Sequence, residues 1–338
     1  MADRSTVIVT GGAGFIGSEL VRQLAERGER VVIIDNLVNG KRENVANVLS
    51  PDVILQVSDV RDTDAVVPHL REAGIVYHLA CLGVRHSVHS PQENHDVNAT
   101  ATLKLLAAAR QADVPRFVYV SSSEVYGGVE FTPILGDAIS EDHPAFPCTV
   151  YGGSKLAGES YTRAYFRTYG YPTVVIRPFN TYGPRSHHEG DSGEVIPKFL
   201  LRCLAGRPMI VFGDGSQSRD FTFVSDTAAG ILLAGDHPKA VGETINIGSG
   251  TDVRIADLAK TVASVTGRPN AEIVYDEPRP GDVYRLIADV SRARGLLGFE
   301  PRVSMADGLQ RLLQWYRDQK KSPEELLEQE VVRNWIPA

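Results

Sequence analysis

The sequence holds three cysteines, two tryptophans and three methionines in 338 residues. Cys81, Cys148 and Cys203 are an odd set, far apart, with neither a pairing pattern nor metal-ligand spacing. That excludes a disulfide scaffold and fits a reducing compartment. No charge-free apolar run reaches the roughly 18 residues that signal a membrane-spanning helix. Met1 to Thr6 carries Asp3 and Arg4 and leads straight into an apolar strand, so no signal-peptide core is expected and the location expected is cytoplasmic. Excess positive charge is missing too. The net charge of −7 offers no general attraction to nucleic acid or to an acidic membrane, so an anionic ligand needs local Arg or Lys groups. Repeats and low-complexity tracts are absent. The remainder has the composition of a soluble globular chain with a large core, expected as one composite unit of two closely packed parts.

What is present is organised around Val7-Ile8-Val9-Thr10-Gly11-Gly12-Ala13-Gly14-Phe15-Ile16-Gly17. A β-branched run reads as a buried parallel strand, and Ser18 to Arg27 as a helix with Leu20, Val21 and Leu24 on one face. Gly11 allows the tight turn, Gly14 lets backbone approach a pyrophosphate, and Gly17 removes a side chain where helix meets sheet. Anionic oxygens then sit on the open N–H groups of the helix end. A second buried strand, Val31 to Ile34, ends in Asp35, 18 residues beyond Gly17. An acidic group there suits the ribose hydroxyls of NAD and repels the 2'-phosphate of NADP. Asn36, Asn39, Gly40, Lys41 and Arg42 crowd the same turn and leave a phosphate-binding alternative open.

Further strands are expected at Val53 to Val57, Ile75 to Leu79, Phe117 to Val120 and Thr173 to Ile176, with a late return at Glu243 to Ile247. Helices are expected at Glu93 to Ala112 and from Tyr151 to Tyr169. This alternation predicts an α/β fold, a doubly wound parallel Rossmann sheet with a smaller substrate-binding lobe. The dinucleotide-binding domain is read as 1–178 with returns near 220–232 and 243–250. The lobe is read as 179–219 and 251–338, with a helix at Val195 to Ala205 and with Ile255 to Val265, the loop Pro278 to Asp282 and Leu309 to Tyr316 building the rest. Asp59 is read either as an adenine contact or as a helix cap before Asp62 and Asp64. The small residues Ala80-Cys81-Leu82-Gly83 permit close passage of the cofactor. Cys148 is expected to be small and buried, with a place in the site as the alternative. His86, His89 and His95 lack the partners a metal needs and read as loop histidines near an anionic ligand; no metal is expected. The apolar end Trp335-Ile336-Pro337 is expected to dock on the body or on a partner subunit.

Three elements converge on chemistry: Ser121-Ser122-Ser123-Glu124 after the fifth strand, Tyr151-Gly152-Gly153-Ser154-Lys155 opening a helix, and Asn98 in the preceding helix. Tyr151 and Lys155 share a helical face, so the ammonium is expected to lower the phenol toward the working pH. Ser122 can bond the same substrate oxygen. Hydride would pass to a nicotinamide held about 3 to 3.5 Å from the reacting carbon.

On these residues the chain resembles the extended short-chain dehydrogenase/reductases of the nucleotide-sugar epimerase and dehydratase family, over residues 5 to 317. The resemblance implies NAD on Gly11, Gly14, Gly17, Asp35 and Asp59, with Phe15, Ile16, Asn36, Asn39, Gly40, Val60, Leu79, Ala80, Asn98, Tyr151, Lys155 and Pro178 completing the set. It implies catalysis by Ser122, Tyr151 and Lys155, and a nucleotide diphosphate on Asn180, Lys198, Arg219 and Arg279. Arg85, Ser123, Arg185, Val195, Val211, Phe212 and Asp282 complete the substrate-binding candidates. It also implies a homodimer paired through helices 93–112 and 151–169. Arg219 and Arg279 make sense unaided, because a diphosphate needs fixed donors in an acidic protein.

Every member reaction starts from a 4-keto sugar: return to the other face gives epimerisation, loss of the C6 hydroxyl gives dehydration, and loss of carbon dioxide gives decarboxylation. Glu124 resembles the glutamate of dehydratases and UDP-glucuronate decarboxylases. Ser123, where familiar dehydratases have Asp, removes an expected acid. Arg185, His187 and His188 of the loop 185–192, with Arg85 and His86 opposite, are candidates for a sugar C6 carboxylate. The expectation is a UDP-hexose or UDP-hexuronate 4-epimerase, with 4,6-dehydratase or UDP-glucuronate decarboxylase as alternatives.

Overall fold

The computed structural model describes residues 6–127, 138–190, 192–279 and 282–335. Short β-branched runs become β1 (Thr6–Thr10), β2 (Val31–Asp35), β3 (Val53–Val57), β4 (Ala73–His78), β5 (Phe117–Val120) and β6 (Thr173–Pro178). With Thr244–Ile247 they form one parallel sheet in the order β3-β2-β1-β4-β5-β6 and then Thr244–Ile247. Strands β1, β2, β5 and β6 are buried along their whole length, as expected where helices cover both faces. The order reverses at β1 and β4, which opens a crevice at their carboxyl ends.

On one face the helices Phe15–Glu26, Val224–Asp236 and Ser291–Leu297 put Leu24, Ile231 and Leu297 into a core with Val9, Ile33 and Val118. On the other, Thr63–Leu70, Ala101–Gln111 and Val150–Tyr169 cover Ile8, Val76 and Tyr119. A third core, with Phe199, Met209, Leu258 and Leu312, gathers the helices Val195–Leu204, Ile255–Val265 and Met305–Arg317 into a smaller lobe. The architecture is the doubly wound α/β fold with an added lobe.

One expectation needs correction. The helix read as Glu93 to Ala112 is broken into Pro91–His95, a wider turn at Asp96–Thr100, and Ala101–Gln111. The helix Val224–Asp236 has Phe223 at its N-cap with no side-chain cap bond, and carries Asp226 in its first turn. Ala293, Leu297 and Phe299 pack into the larger core.

Candidate active site

A cavity of about 750 Å³ runs between the carboxyl ends of the sheet strands and the lobe. Its first end is the glycine turn. The helix Phe15–Glu26 starts at an extended Gly14 that supplies no side-chain cap, which leaves its first N–H groups for a ligand. A Cβ on Gly17 would fall on the Gly11 carbonyl oxygen, so only glycine lets the helix approach this closely. Asp35 ends β2, and its carboxylate accepts the Ala13 N–H at 2.9 Å and the Leu37 N–H at 2.8 Å. Burial pushes Asp35 up, and those two bonds partly offset it. Asp59 is clamped by Arg61, which holds its carboxyl down at about 2, and it also accepts from Asn36 at 2.8 Å. The cap of the following helix is Asp62, which accepts the Ala65 N–H; Asp59 does not serve that end. Lys41 of the same turn is paired with Glu189. A bare helix end beside a carboxylate and a glycine cradle fit an adenine dinucleotide with free ribose hydroxyls.

The reactive centre lies in the middle. Thr149 caps the helix Val150–Tyr169 by accepting the Gly152 N–H at 3.0 Å. A Cβ on Gly152 would lie 2.8 Å from the Glu124 carbonyl oxygen, so glycine brings this helix end against the Ser123–Tyr126 turn. That contact brings the Tyr151 phenol beside the Ser122 side chain. Burial pushes the Tyr151 phenol well above the ordinary tyrosine range, and the neighbouring Ser122 side chain opposes that rise. The Cys81 thiol also lies beside the phenol. Lys155 is buried, donates to the Val120 carbonyl at 2.6 Å and stands over the Tyr119 ring at 4.9 Å. Burial pushes its ammonium down.

The far end is cationic. Arg219 lies on Ser218–Arg219, the middle strand between Val253–Arg254 and Arg285–Leu286, and donates to Asp282 at 2.6 Å and to the Val283 carbonyl at 2.5 Å. Arg279 stands over the Trp335 ring at 5.0 Å and the Phe212 ring at 5.8 Å. Burial, with Arg85 and Arg219 nearby, pushes Arg279 down to about 10. Burial likewise holds Lys198 at about 8. Glu124 faces this group: burial raises its carboxyl, and Arg219, Arg85 and Arg279 work against the rise.

The cavity wall includes Ser122, Tyr151, Lys155 and Glu124, every proposed cofactor residue except Asn98, and every proposed substrate residue except Arg185 and Val211. Asn98 is buried behind the wall, where its amide accepts the Leu82 N–H at 2.8 Å and donates to the Leu82 carbonyl at 2.9 Å. It holds the 80–83 loop. Arg185 turns away to pair with Glu19 at 3.0 Å. Val211 points into the lobe core while Ile210 and Phe212 face the cavity; neighbours on a strand cannot both face it. His187 remains on the wall, but His188 packs edge-on against Tyr316 at 5.8 Å. Asp191 of that loop and Pro280 and Gly281 of the loop before Asp282 lie outside the described residues, as do Ile336 and Pro337 of the expected apolar end. Cys148 is exposed, contrary to the buried reading. Among the described residues no group of side chains could hold a metal.

Sequence reading missed the wall residues Glu194, Glu330, Val332 and Asn334. Strand alternation could have given Ile210. Burial holds Glu194 at about 8. The last three lie in a charged stretch with no motif.

A glycine-turn dinucleotide site beside a Ser–Tyr–Lys proton site defines a nicotinamide-dependent oxidoreductive enzyme of the doubly wound class. Residues 7–248 match the model of the NAD dependent epimerase/dehydratase family, and the chain belongs to that family, with NAD as its cofactor. It is 36% identical over 319 residues to a UDP-glucose 4-epimerase of Mycolicibacterium smegmatis, covering 93% of this chain and 99% of that one. It is 35% identical over 314 residues to UDP-glucuronic acid decarboxylase 2 of Arabidopsis thaliana, covering 92% and 68%. A variant of the UDP-glucuronic acid 4-epimerase of Bacillus cereus, solved with a fluorinated UDP-glucuronic acid and NAD, superposes with a TM-score of 0.84 at 32% identity, covering 92% of this chain and 98% of that one.

Proposed function

We propose that the chain is a 4-epimerase of a UDP-hexose or UDP-hexuronate, working through a transient 4-keto sugar. The observation that carries the reading is the Tyr151 phenol beside the Ser122 hydroxyl, both on the wall of a cavity with a dinucleotide cradle at one end and Arg219, Arg279 and Lys198 at the other. Bound NAD supplies reversible two-electron oxidation of the sugar. Gly11, Gly14 and Gly17 hold its pyrophosphate and Asp35 a ribose. Tyr151 takes the C4 hydroxyl proton and returns it, and Ser122 shares that proton movement. Arg219, Arg279 and Lys198 hold the diphosphate, so the sugar can turn over while its handle stays fixed. With Arg185 committed to Glu19, Arg85 and His187, both on the wall, are the candidates for meeting a C6 carboxylate.

One observation favours a second reading. Glu124 is a half-buried carboxyl on the cavity wall with a raised pKa beside the reactive pair, which suits an acid or base at C5 and hence dehydration or decarboxylation. The purified enzyme is to be incubated with UDP-glucose, UDP-galactose, UDP-glucuronate and UDP-galacturonate and followed by proton NMR and mass spectrometry. A product of unchanged mass inverted at C4 is expected; loss of water or carbon dioxide overturns the epimerase in favour of the second reading.

The same proposal includes a cytoplasmic homodimer. Leu103 and Tyr169 are exposed on Ala101–Gln111 and Val150–Tyr169, the helices that would pair with their copies. A monomer in sedimentation would refute it.

A further inference from the structure

Residues 329–335 lie beyond the matched family region, yet three of them, Glu330, Val332 and Asn334, form wall of the cavity. The segment is tied down at each step, and the ties fall on the elements that make the cationic end. The Gly190 N–H donates to the Gln329 carbonyl at 2.8 Å. Arg202, on the helix Val195–Leu204, donates to Glu330 at 2.8 Å, and both side chains are nearly buried. Lys198, one turn earlier on that helix, gives its ammonium to the Val331 carbonyl at 2.8 Å. Arg333 reaches Asp276 at 2.8 Å, at the end of the strand Ile273–Asp276 that leads into the loop carrying Arg279. Trp335 then packs edge-on against Phe212 at 4.6 Å and lays its ring beneath the Arg279 guanidinium.

A long cationic side chain in a cavity adopts many rotamers, and ordering it on ligand binding costs free energy. Here Lys198 is ordered by a backbone carbonyl and Arg279 by an aromatic face, and both partners lie in the same segment. The Arg279 Nε is buried and makes no hydrogen bond among the described residues, so this guanidinium retains a donor for an anion.

We propose that residues 329–335 are a clasp belonging to the substrate site, which holds Lys198 and Arg279 ready for the diphosphate of the nucleotide sugar. The inference rests on the nucleotide-sugar reading above. Trp335 is a positioning residue in it, acting through Arg279.

The test uses the full chain and calorimetry with UDP and, separately, NAD. Trp335→Ala is expected to weaken UDP binding about tenfold, a loss in the range of a desolvated cation–π contact, with NAD binding unchanged and KM rising more than kcat falls. Trp335→Phe should recover most of the affinity. Glu330→Gln, which loosens the clasp without touching Arg279, should weaken UDP by a smaller factor. Equal UDP affinity in wild type and Trp335→Ala overturns the clasp alone. Loss of UDP and NAD binding together would make the segment a general brace and overturn it too. A wild-type chain that binds NAD but no UDP overturns the nucleotide-sugar reading, and the clasp falls with it.

Discussion

Lys155 donates its ammonium to the Val120 carbonyl at 2.6 Å, one helical turn along from the Tyr151 phenol. Beside the phenol itself, the Ser122 side chain works against the rise that burial imposes. Lys155 ties the helix Val150–Tyr169 to the end of β5, which is the strand that delivers Ser122.

Replacing Tyr151 with Phe removes the oxygen that exchanges the substrate proton. Turnover should fall by about 10² to 10⁴, the range of general acid–base catalysis. NAD binding, measured by calorimetry, should persist, since the glycine turn and Asp35 are untouched.

The phenol is pushed up by burial, so its ionised form gains with rising pH. With the phenolate as base, kcat/KM should climb through neutral pH. Ser122→Ala removes a donor to the phenolate and should move that limb to higher pH, beyond lowering the rate. A pH–rate profile checks this, and an unshifted limb would refute it.

Glu124→Gln separates the reactions. A C4 epimerase should keep turnover within severalfold, because nothing need leave C5 or C6. Dehydration should fall by orders of magnitude. A severe loss of C4 inversion with NAD binding intact would contradict the secondary role given to Glu124.

His78 is buried between Thr10 at 2.6 Å and Thr102 at 2.9 Å, and burial holds it at about 3. Its folded pKa lies below its unfolded one, near 6.5. The unfolded chain therefore takes the proton first as pH falls. Stability is full above about pH 6.5 and declines toward pH 3, by up to about 1.4 kcal/mol per pH unit. Urea unfolding at pH 7.5 and pH 5 should show the drop, and His78→Gln should flatten it.

Gly17→Ala drives a methyl group onto the Gly11 carbonyl and should destabilise the fold by about 1 to 3 kcal/mol. Thermal unfolding reads this directly, and NAD affinity should fall alongside it.

Much of the fold is legible in the chain, and for local reasons. Runs such as Val7 to Thr10 name buried parallel strands, and the turn at Gly11 to Gly17 names the helix and the ligand end beyond them, so the sheet and its dinucleotide cradle can be read. Tyr151 and Ser122 are readable because the spacing of their elements is characteristic. Arg185 and Val211 are misplaced by sequence because position near a motif says nothing about where a side chain points. One finds a carboxylate at Glu19, and the other obeys strand alternation. Asn98 reads as a ligand contact because amides suit both ligands and loops; its bonds to Leu82 decide for the loop. The wall from Glu330 to Asn334 has no periodicity, glycine or cap to announce it.

The polypeptide leaves the sheet after β6, comes back as Val224–Asp236 and Thr244–Ile247, departs again, and rejoins as Ser291–Leu297. A thread stitched back and forth in this way leaves no single place to cut. Neither half can be excised as a working piece, and both should melt in a single endotherm. Opening the crevice must then come from loops and side chains along its rim, since the two walls share their seams.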